Sequence, residues 1–315
     1  MVELTSPARP SLAVLSHVLL DDIRLPDGRH VTGQLGGAGS YAAAGAALAS
    51  CRPGSVGVVC GTGADLGTAN LEHLSRYGID TSALQVRDAH APRSQITYHD
   101  ESTRDESPVW GPAHLLRMRP DPADVPEGWR PLAGVYLFQD DNHEIFDRLD
   151  RVRDDRTVVL WEIDVACCQP DRLPSVTSLL HRVDWLSINF AEARSLLGHD
   201  DPDDCVRMLL DAGAQRVSLR MGAAGALIAD GESCLRTGAF ATPAVDPTGA
   251  GNAHGGALLA TWVRTLDLRQ SASTAAATAS FVIEQYGLPP SPPSPTAITA
   301  RTAVVSRTVE RLHRA

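Results

Sequence analysis

From residue 131 onward, short apolar runs alternate with stretches of helical spacing. Val135-Tyr136-Leu137-Phe138, Val158-Val159-Leu160-Trp161 and Trp185-Leu186-Ser187-Ile188 have the length of strands and no polar alternation. Between and after them, Ile145–Val152, Leu173–Leu180, Ala191–Leu197 and Cys205–Ala212 read as helices, and Gly198 stops the third. Arg216–Arg220 and Gly225–Ala229 read as two further strands. Apolar strands joined by helices predict a parallel sheet covered on both faces. Such sheets collect ligands at the carboxyl ends of their strands. Gln139, Asp140, Glu162, Asp164, Asn189 and Glu192 are expected there.

The first third of the chain follows another pattern. Ser11–Leu20 has strand character, and Ile23–Val31 reads as part of a hairpin turning at Asp27-Gly28. Val56–Gly61 is a buried strand, followed by a helix through about Tyr77 that ends at Gly78. Leu84–Val109 alternates and is polar, as expected of a second piece of antiparallel sheet pairing with the hairpin. Together they predict a small lid from residues 18–33 and 84–110. Toward the other end, Ser273–Gln285 reads as a helix stopped by Gly287. Pro289–Pro295 reads as a stiff linker, and a last amphipathic helix is expected from about Ala297 to the end. No internal repeat is visible, so residues 1–315 are read as one domain.

Two glycine-rich turns open helices. Gly36-Gly37-Ala38-Gly39-Ser40-Tyr41 leads into an alanine-rich run, and Gly249-Ala250-Gly251-Asn252 leads into Gly255-Gly256-Ala257-Leu258. A helix start offers unpaired backbone N–H groups at the positive end of its dipole, which makes the second turn a phosphate cradle. The first reads equally well as a tight connection or as a place where backbone approaches a ligand.

Composition narrows the partners. Net charge is −10, so no polyanion such as nucleic acid is expected. Every basic residue besides histidine is Arg; with no Lys, neither a Schiff base nor a phosphate-loop lysine is available. Cys51, Cys60, Cys167, Cys168, Cys205 and Cys234 form no C-x-x-C pair and read as reduced core thiols. No apolar run is long enough to span a membrane, and the opening residues do not read as a signal segment, so a soluble, cytoplasmic protein is expected.

Five places in this order carry a resemblance: Gly36-Gly37-x-Gly39; Gly63-Ala64-Asp65-Leu66-Gly67; Asn189-Phe190-Ala191-Glu192; Met221-Gly222-Ala223-Ala224-Gly225; and Asp246-Pro247-Thr248-Gly249-Ala250-Gly251. The chain resembles the ribokinase-like (pfkB) family of carbohydrate and nucleoside kinases over nearly its whole length. The resemblance implies an α/β fold, a three-layer α/β/α sandwich with a small β-sheet lid. It implies ATP and Mg²⁺, allows a monovalent cation, and makes a small sugar or nucleoside the acceptor. Asp21 or Asp22, Gly36, Gly37, Tyr41 and Gln139 then fall at acceptor places. Asn189, Glu192, Arg220, Gly222 and Thr248 fall at nucleotide places, with Glu192 reaching Mg²⁺ through water. Gly249, Ala250 and Gly251 match the anion hole. A homodimer through the lid is compatible with this reading.

Two positions depart from the family pattern. Tyr41 stands where the family carries an Asn that contacts the sugar, which implies a larger or flatter acceptor. Asn252 stands where the family has its general base, an Asp, and an amide cannot take up a hydroxyl proton. The Asn is similar to one in a subgroup known from fungi and plants, which shares Trp161-Glu162 and the Gly-Gly-Ala-Gly-Ser-Tyr pattern. Three readings stay open: a kinase with weakened base catalysis, a homologue that binds nucleotide or sugar without turnover, or a site turned to other phosphate chemistry. His254 as a substitute base is disfavoured, because residues two apart on a helix do not share a face. A dinucleotide-binding oxidoreductase ranks low, since no strand bearing an acidic residue follows the second turn.

Overall fold

The computed structural model describes residues 9–50, 52–99 and 104–312. Cys51, the lid residues 100–103 and both chain ends lie outside the described residues. The large sheet runs in the order Glu310–Leu312, Cys234–Thr237, Ala226–Asp230, Arg216–Arg220, Trp185–Asn189, Val158–Ile163, Gly134–Gln139, Leu12–Leu15, Val56–Gly63, Ile79–Asp80. Its pairings are parallel from Arg216–Arg220 to Ile79–Asp80. The expected all-parallel sheet is corrected at its other end. Ala226–Asp230 turns back through the Gly222–Ala224 turn, and three antiparallel pairings finish the edge.

Side-chain alternation sorts the core into two layers. Tyr136, Leu160 and Trp185 face the helices Ala38–Ala49, Ala250–Thr265 and Leu268–Val282. Leu137, Val159, Trp161 and Leu186 face the helices His143–Arg148, Leu173–Leu179, Phe190–Leu197 and Pro202–Asp211. The result is the three-layer α/β/α sandwich expected from the sequence.

A second, four-stranded sheet joins His30–Gly36, Leu19–Arg24, Arg93–Tyr98 and Arg104–Pro108. The hairpin with Gly28 at its turn is present. Three expectations change. Ser11–Leu20 is two strands, because the chain leaves the large sheet at Ser16-His17 and enters the small one at Leu19. Leu84–Asp88, expected in the lid, pairs parallel with Cys60–Gly63 and extends the large sheet. The small sheet is mixed, since Arg93–Tyr98 lies parallel to Leu19–Arg24. Ile23, Leu25, Ile96 and Tyr98 form its own apolar cluster, with Tyr286 of the main body packed against it.

The chain's end also differs from the expectation. The proline-rich stretch is strapped to the helix Thr68–Arg76: the Pro289 carbonyl accepts from Tyr77 Oη at 2.9 Å, and that of Pro290 from Arg76 at 3.0 Å. The final helix is Pro295–Ser306, after which Glu310–Leu312 joins the large sheet as a strand.

Candidate active site

Small residues bring the two glycine turns together. The helices Ala38–Ala49 and Ala250–Thr265 touch backbone to backbone. A Cβ on Gly45 would lie 2.1 Å from the Ala253 carbonyl, and one on Gly256 would lie 2.0 Å from that of Ala42. Only glycine permits this approach, and it sets both helix starts side by side at the carboxyl edge of the sheet. Neither start has a side-chain cap. Gly37 and Gly249 both hold positive φ, 85° and 78°, and only Gly249, with ψ −8°, is left-handed helical. At the first start Gly39 N–H donates to the His17 carbonyl at 2.8 Å, and at the second Ala250 N–H donates to the Pro247 carbonyl at 3.2 Å; the N–H groups that remain in each first turn have no side-chain cap.

At the first start, Asp21 is buried and Asp22 is not. A Cβ on Gly36 would lie 1.9 Å from Asp21 Oδ2, so the carboxylate rests directly on the glycine backbone. Asp22 is taken up within the small sheet, accepting from Gly33 N–H at 2.8 Å and pairing with Arg93 at 3.0 Å. Of the two candidates, Asp21 is therefore the one beside the turn. Tyr41 is not at an open acceptor surface. Its ring is buried against the second start, where a Cβ on Gly249 would lie 2.2 Å from Cγ. Its bulk packs beneath the second turn, and the ring is buried rather than exposed at an acceptor surface. Gln139, also buried, borders a cavity of ≈ 410 Å³ with Arg87, Arg119 and Asn142. Among the described residues, the walls of that cavity include neither helix start.

At the second start, Arg220 lies beneath Gly251. A Cβ on Gly251 would lie 2.6 Å from Arg220 Nη1. Arg220 Nη2 donates to Glu162 Oε1 at 2.5 Å, and this buried pair sits between the sheet and the helix. Gly255 closes over it, its Cβ position 3.1 Å from Glu162 Oε2. Burial pushes Glu162 up to about 7, with Arg220 opposing. Burial also works against the Arg220 cation, but Glu162 and Glu192 outweigh it and hold its pKa above the ordinary value. Tyr136 Oη donates to Asn252 Oδ1 at 2.9 Å. Burial, with Glu162 beside it, holds that phenol well above its usual range, so Tyr136 stays a donor. The Asn252 amide therefore spends its oxygen on the Tyr136 hydroxyl. His254 is buried on the sheet side of the same helix, and burial followed by Arg220 lowers it to about 3. It is neutral at physiological pH.

The small sheet reaches this start through Tyr98. Its hydroxyl donates to Asp246 Oδ1 at 2.6 Å and lies 3.3 Å from Thr248 Oγ1, while Thr248 N–H donates to the same Asp246 oxygen at 2.8 Å. Thr248 is thus held by the lid strand and by its own turn.

The expected nucleotide residues cluster along the same edge. Asn189 and Glu192 form a reciprocal capping box on the helix Phe190–Leu197, with both bonds at 2.9 Å. Gly222 has φ 57°, and a Cβ there would meet open space. Among the described residues, no three His, Cys, Asp or Glu side chains gather as a metal cage. Glu192 keeps its second carboxylate oxygen, and Asp164 is close enough to raise its pKa behind the larger effect of burial. That donor set fits a hydrated Mg²⁺ held chiefly by phosphates and water. Tyr136, the Glu162–Arg220 pairing and Tyr98 are site features that sequence reasoning missed. Only the polar end of the Val158–Ile163 strand signalled one of them.

The profile of the pfkB family of carbohydrate kinases matches residues 10–295. A cytidine kinase of Thermococcus kodakarensis is 28% identical over 278 residues, covering 88% of this chain and 97% of that protein. Among solved structures, adenosine kinase of Sinorhizobium meliloti superposes with TM-score 0.76 at 19% identity, over 94% of this chain and 100% of that one. Aminoimidazole riboside kinase of Salmonella enterica, solved with aminoimidazole riboside and an ATP analogue, gives 0.72 at 17%, over 92% and 99%.

Proposed function

The chain belongs to the pfkB family of carbohydrate kinases, and from that premise we propose that it transfers the terminal phosphoryl group of ATP to a hydroxyl of a sugar or nucleoside. The observation that carries the reading is the pairing of the two helix starts, one backed by the Asp21 carboxylate and the other by the Arg220 guanidinium. A carboxylate accepts from a hydroxyl, and a cation beneath backbone N–H groups favours a phosphoryl group. In this assignment Asp21, Gly36 and Gly37 hold the acceptor, and Gly249, Ala250 and Gly251 receive the phosphoryl group. Asn189, Glu192, Gly222 and Thr248 line the nucleotide side. Mg²⁺, when bound, would neutralise phosphate charge, with Glu192 as its protein contact through water. A nucleoside is the preferred acceptor class, because the full-length relative is named a cytidine kinase.

Asn252 makes the enzyme slow rather than inert. A missing general base typically costs ~10²–10⁴-fold, while positioning and charge neutralisation remain. The Tyr136 bond to Asn252 also supports a second reading, a homologue that binds a phosphorylated ligand without turnover. The test is thermal shift and ADP release with Mg·ATP and a panel of sugars and nucleosides, run beside Asn252→Asp. The kinase reading expects ATP stabilisation of both proteins, slow turnover in the wild type, and turnover raised about 10²-fold in the variant. Turnover in the variant alone favours the second reading. No stabilisation of either protein by nucleotide overturns both.

The family also admits a monovalent cation. The described acidic, Cys and His side chains offer it no cage, and comparing turnover in potassium and choline chloride decides it. A cytoplasmic protein that dimerises through its small sheet and binds no nucleic acid completes the proposal. Among the described residues no helix is long and apolar enough to cross a membrane.

A further inference from the structure

The proposed function uses Arg220 as the cation behind the second helix start but leaves its buried partner Glu162 without a role. The pair is buried directly under the anion turn. Arg220 spends one nitrogen on Glu162, while its Nε and Nη1 make no hydrogen bond to any of the described residues, and Nη1 is the atom nearest the position a Cβ on Gly251 would take. A buried guanidinium with two unused donors is costly unless something nearby uses its charge. On the same helix turn, the Asn252 amide oxygen is taken by the Tyr136 hydroxyl, and the side chain carries no charge. Three features therefore favour one kind of ligand: a helix start with no cap, a cation under its first turn, and a neutral amide where a carboxylate would repel.

We propose that the Glu162–Arg220 pair sets the charge of the anion turn. Arg220 supplies the full positive charge that holds a phosphate dianion at Gly249–Gly251, and Glu162 is the counter-charge that limits how tightly it is held. Both are positioning residues, acting through the field at the Gly251 backbone and not by contact with an acceptor. The inference rests on the phosphoryl-transfer reading only in identifying the anion as a phosphate. The ligand class is a phosphomonoester or free phosphate, bound without need of a nucleoside.

The charges predict opposite effects on the two sides of the pair. Glu162→Gln keeps the shape and removes only the counter-charge, so it tightens phosphate binding. Removing both charges, in Glu162→Leu/Arg220→Met, leaves a packed pair that folds, because neither charge is stranded. That variant binds phosphate more weakly. Asn252→Asp weakens binding as well, by placing a carboxylate beside the anion.

The experiment is calorimetric titration of the intact protein with inorganic phosphate, without nucleotide and at low ionic strength, with thermal denaturation as the folding check. Glu162→Gln is expected to bind about tenfold more tightly than the wild type and the double variant about tenfold more weakly. Arg220→Lys, which keeps the charge, is expected to stay near the wild type. A purely structural pair gives no tightening in Glu162→Gln, and that result overturns the inference. So does a folded double variant that binds phosphate as the wild type does. If the wild type is stabilised by ATP but neither binds phosphate alone nor responds at Glu162, the inference fails and the kinase reading stands. If ATP also fails, the kinase reading has failed on its own test.

Discussion

The two helix starts share a glycine-led opening and sit over opposite charges. Each opens with a glycine at positive φ, lacks a side-chain cap, and carries a glycine whose Cβ would strike an ionisable group. At Gly36 that group is the Asp21 carboxylate; at Gly251 it is the Arg220 guanidinium. A helix start alone favours anions, with a modest strength of about 0.3–1 kcal/mol when exposed. The buried side chain beneath it decides what it binds. In the proposed assignment, Asp21 turns one start toward hydroxyl hydrogens, and Arg220 leaves the other for phosphate.

The strongest way to break the comparison is to fill the glycines. Gly249→Ala forces a side chain into positive φ and onto the Tyr41 ring, and is expected to cost about 3 kcal/mol of stability and to abolish the ATP thermal shift. Gly37→Ala meets the His17 carbonyl at 2.6 Å. It should cost a similar amount, about 3 kcal/mol, while keeping a measurable response to phosphate. Equal loss of both ligand responses in both variants would mean that the starts are not separate sites. Next in size is Asp21→Asn, expected to raise the acceptor KM about 10- to 100-fold with the ATP response unchanged. Steady-state kinetics against each substrate separates the two effects.

Proton linkage sharpens the comparison from beneath. His254 has a folded-state pKa near 3, below its ordinary 6.5. As pH falls from 6.5 toward 3, the unfolded chain takes up the proton first, so stability present above 6.5 is lost. The loss reaches about 2 kcal/mol at pH 5, and the pH 7 to pH 5 change in unfolding free energy should be smaller by that amount in His254→Leu. Glu162 works in the other direction. Its pKa is raised to about 7 from 4.5, so its contribution is full below 4.5 and is lost as pH rises through 7. Glu162→Gln should remove that slope in denaturant titrations. The smallest effect is Tyr98→Phe, which cuts the lid strand's bond to Asp246. It should raise KM for ATP about fivefold, the worth of about 1 kcal/mol, with kcat little changed.

The fold was legible because it rests on local pattern. Apolar strands at Val158–Trp161 and Trp185–Ile188 can only be buried on both faces, and that demands helices on each side. The small sheet was legible as hairpin and alternation, but not its extent. Leu84–Asp88 alternates as a lid strand would, yet its partner Cys60–Gly63 is set by tertiary packing. The C-terminal strand Glu310–Leu312 was hidden by its polar residues, which suit an exposed edge as well as a helix. At the site, both glycine turns could be read from sequence. The roles of the residues under them could not. Tyr41 belongs to one turn's motif and packs on the other turn's glycine. Tyr136 sits inside an apolar strand, and only the fold brings its hydroxyl to Asn252.

The central claim is that one sheet edge holds a hydroxyl at the Asp21 end and a phosphoryl group at the Arg220 end. Phosphorus NMR of the wild type with Mg·ATP and single nucleosides or sugars reads the transfer itself. The predicted result is a new phosphomonoester resonance that needs the acceptor, grows slowly, grows faster in Asn252→Asp, and grows more slowly than wild type in Asp21→Asn at acceptor concentrations below KM. ATP that stays intact with every acceptor in both the wild type and Asn252→Asp, or is hydrolysed to free phosphate with no phosphomonoester, would contradict it.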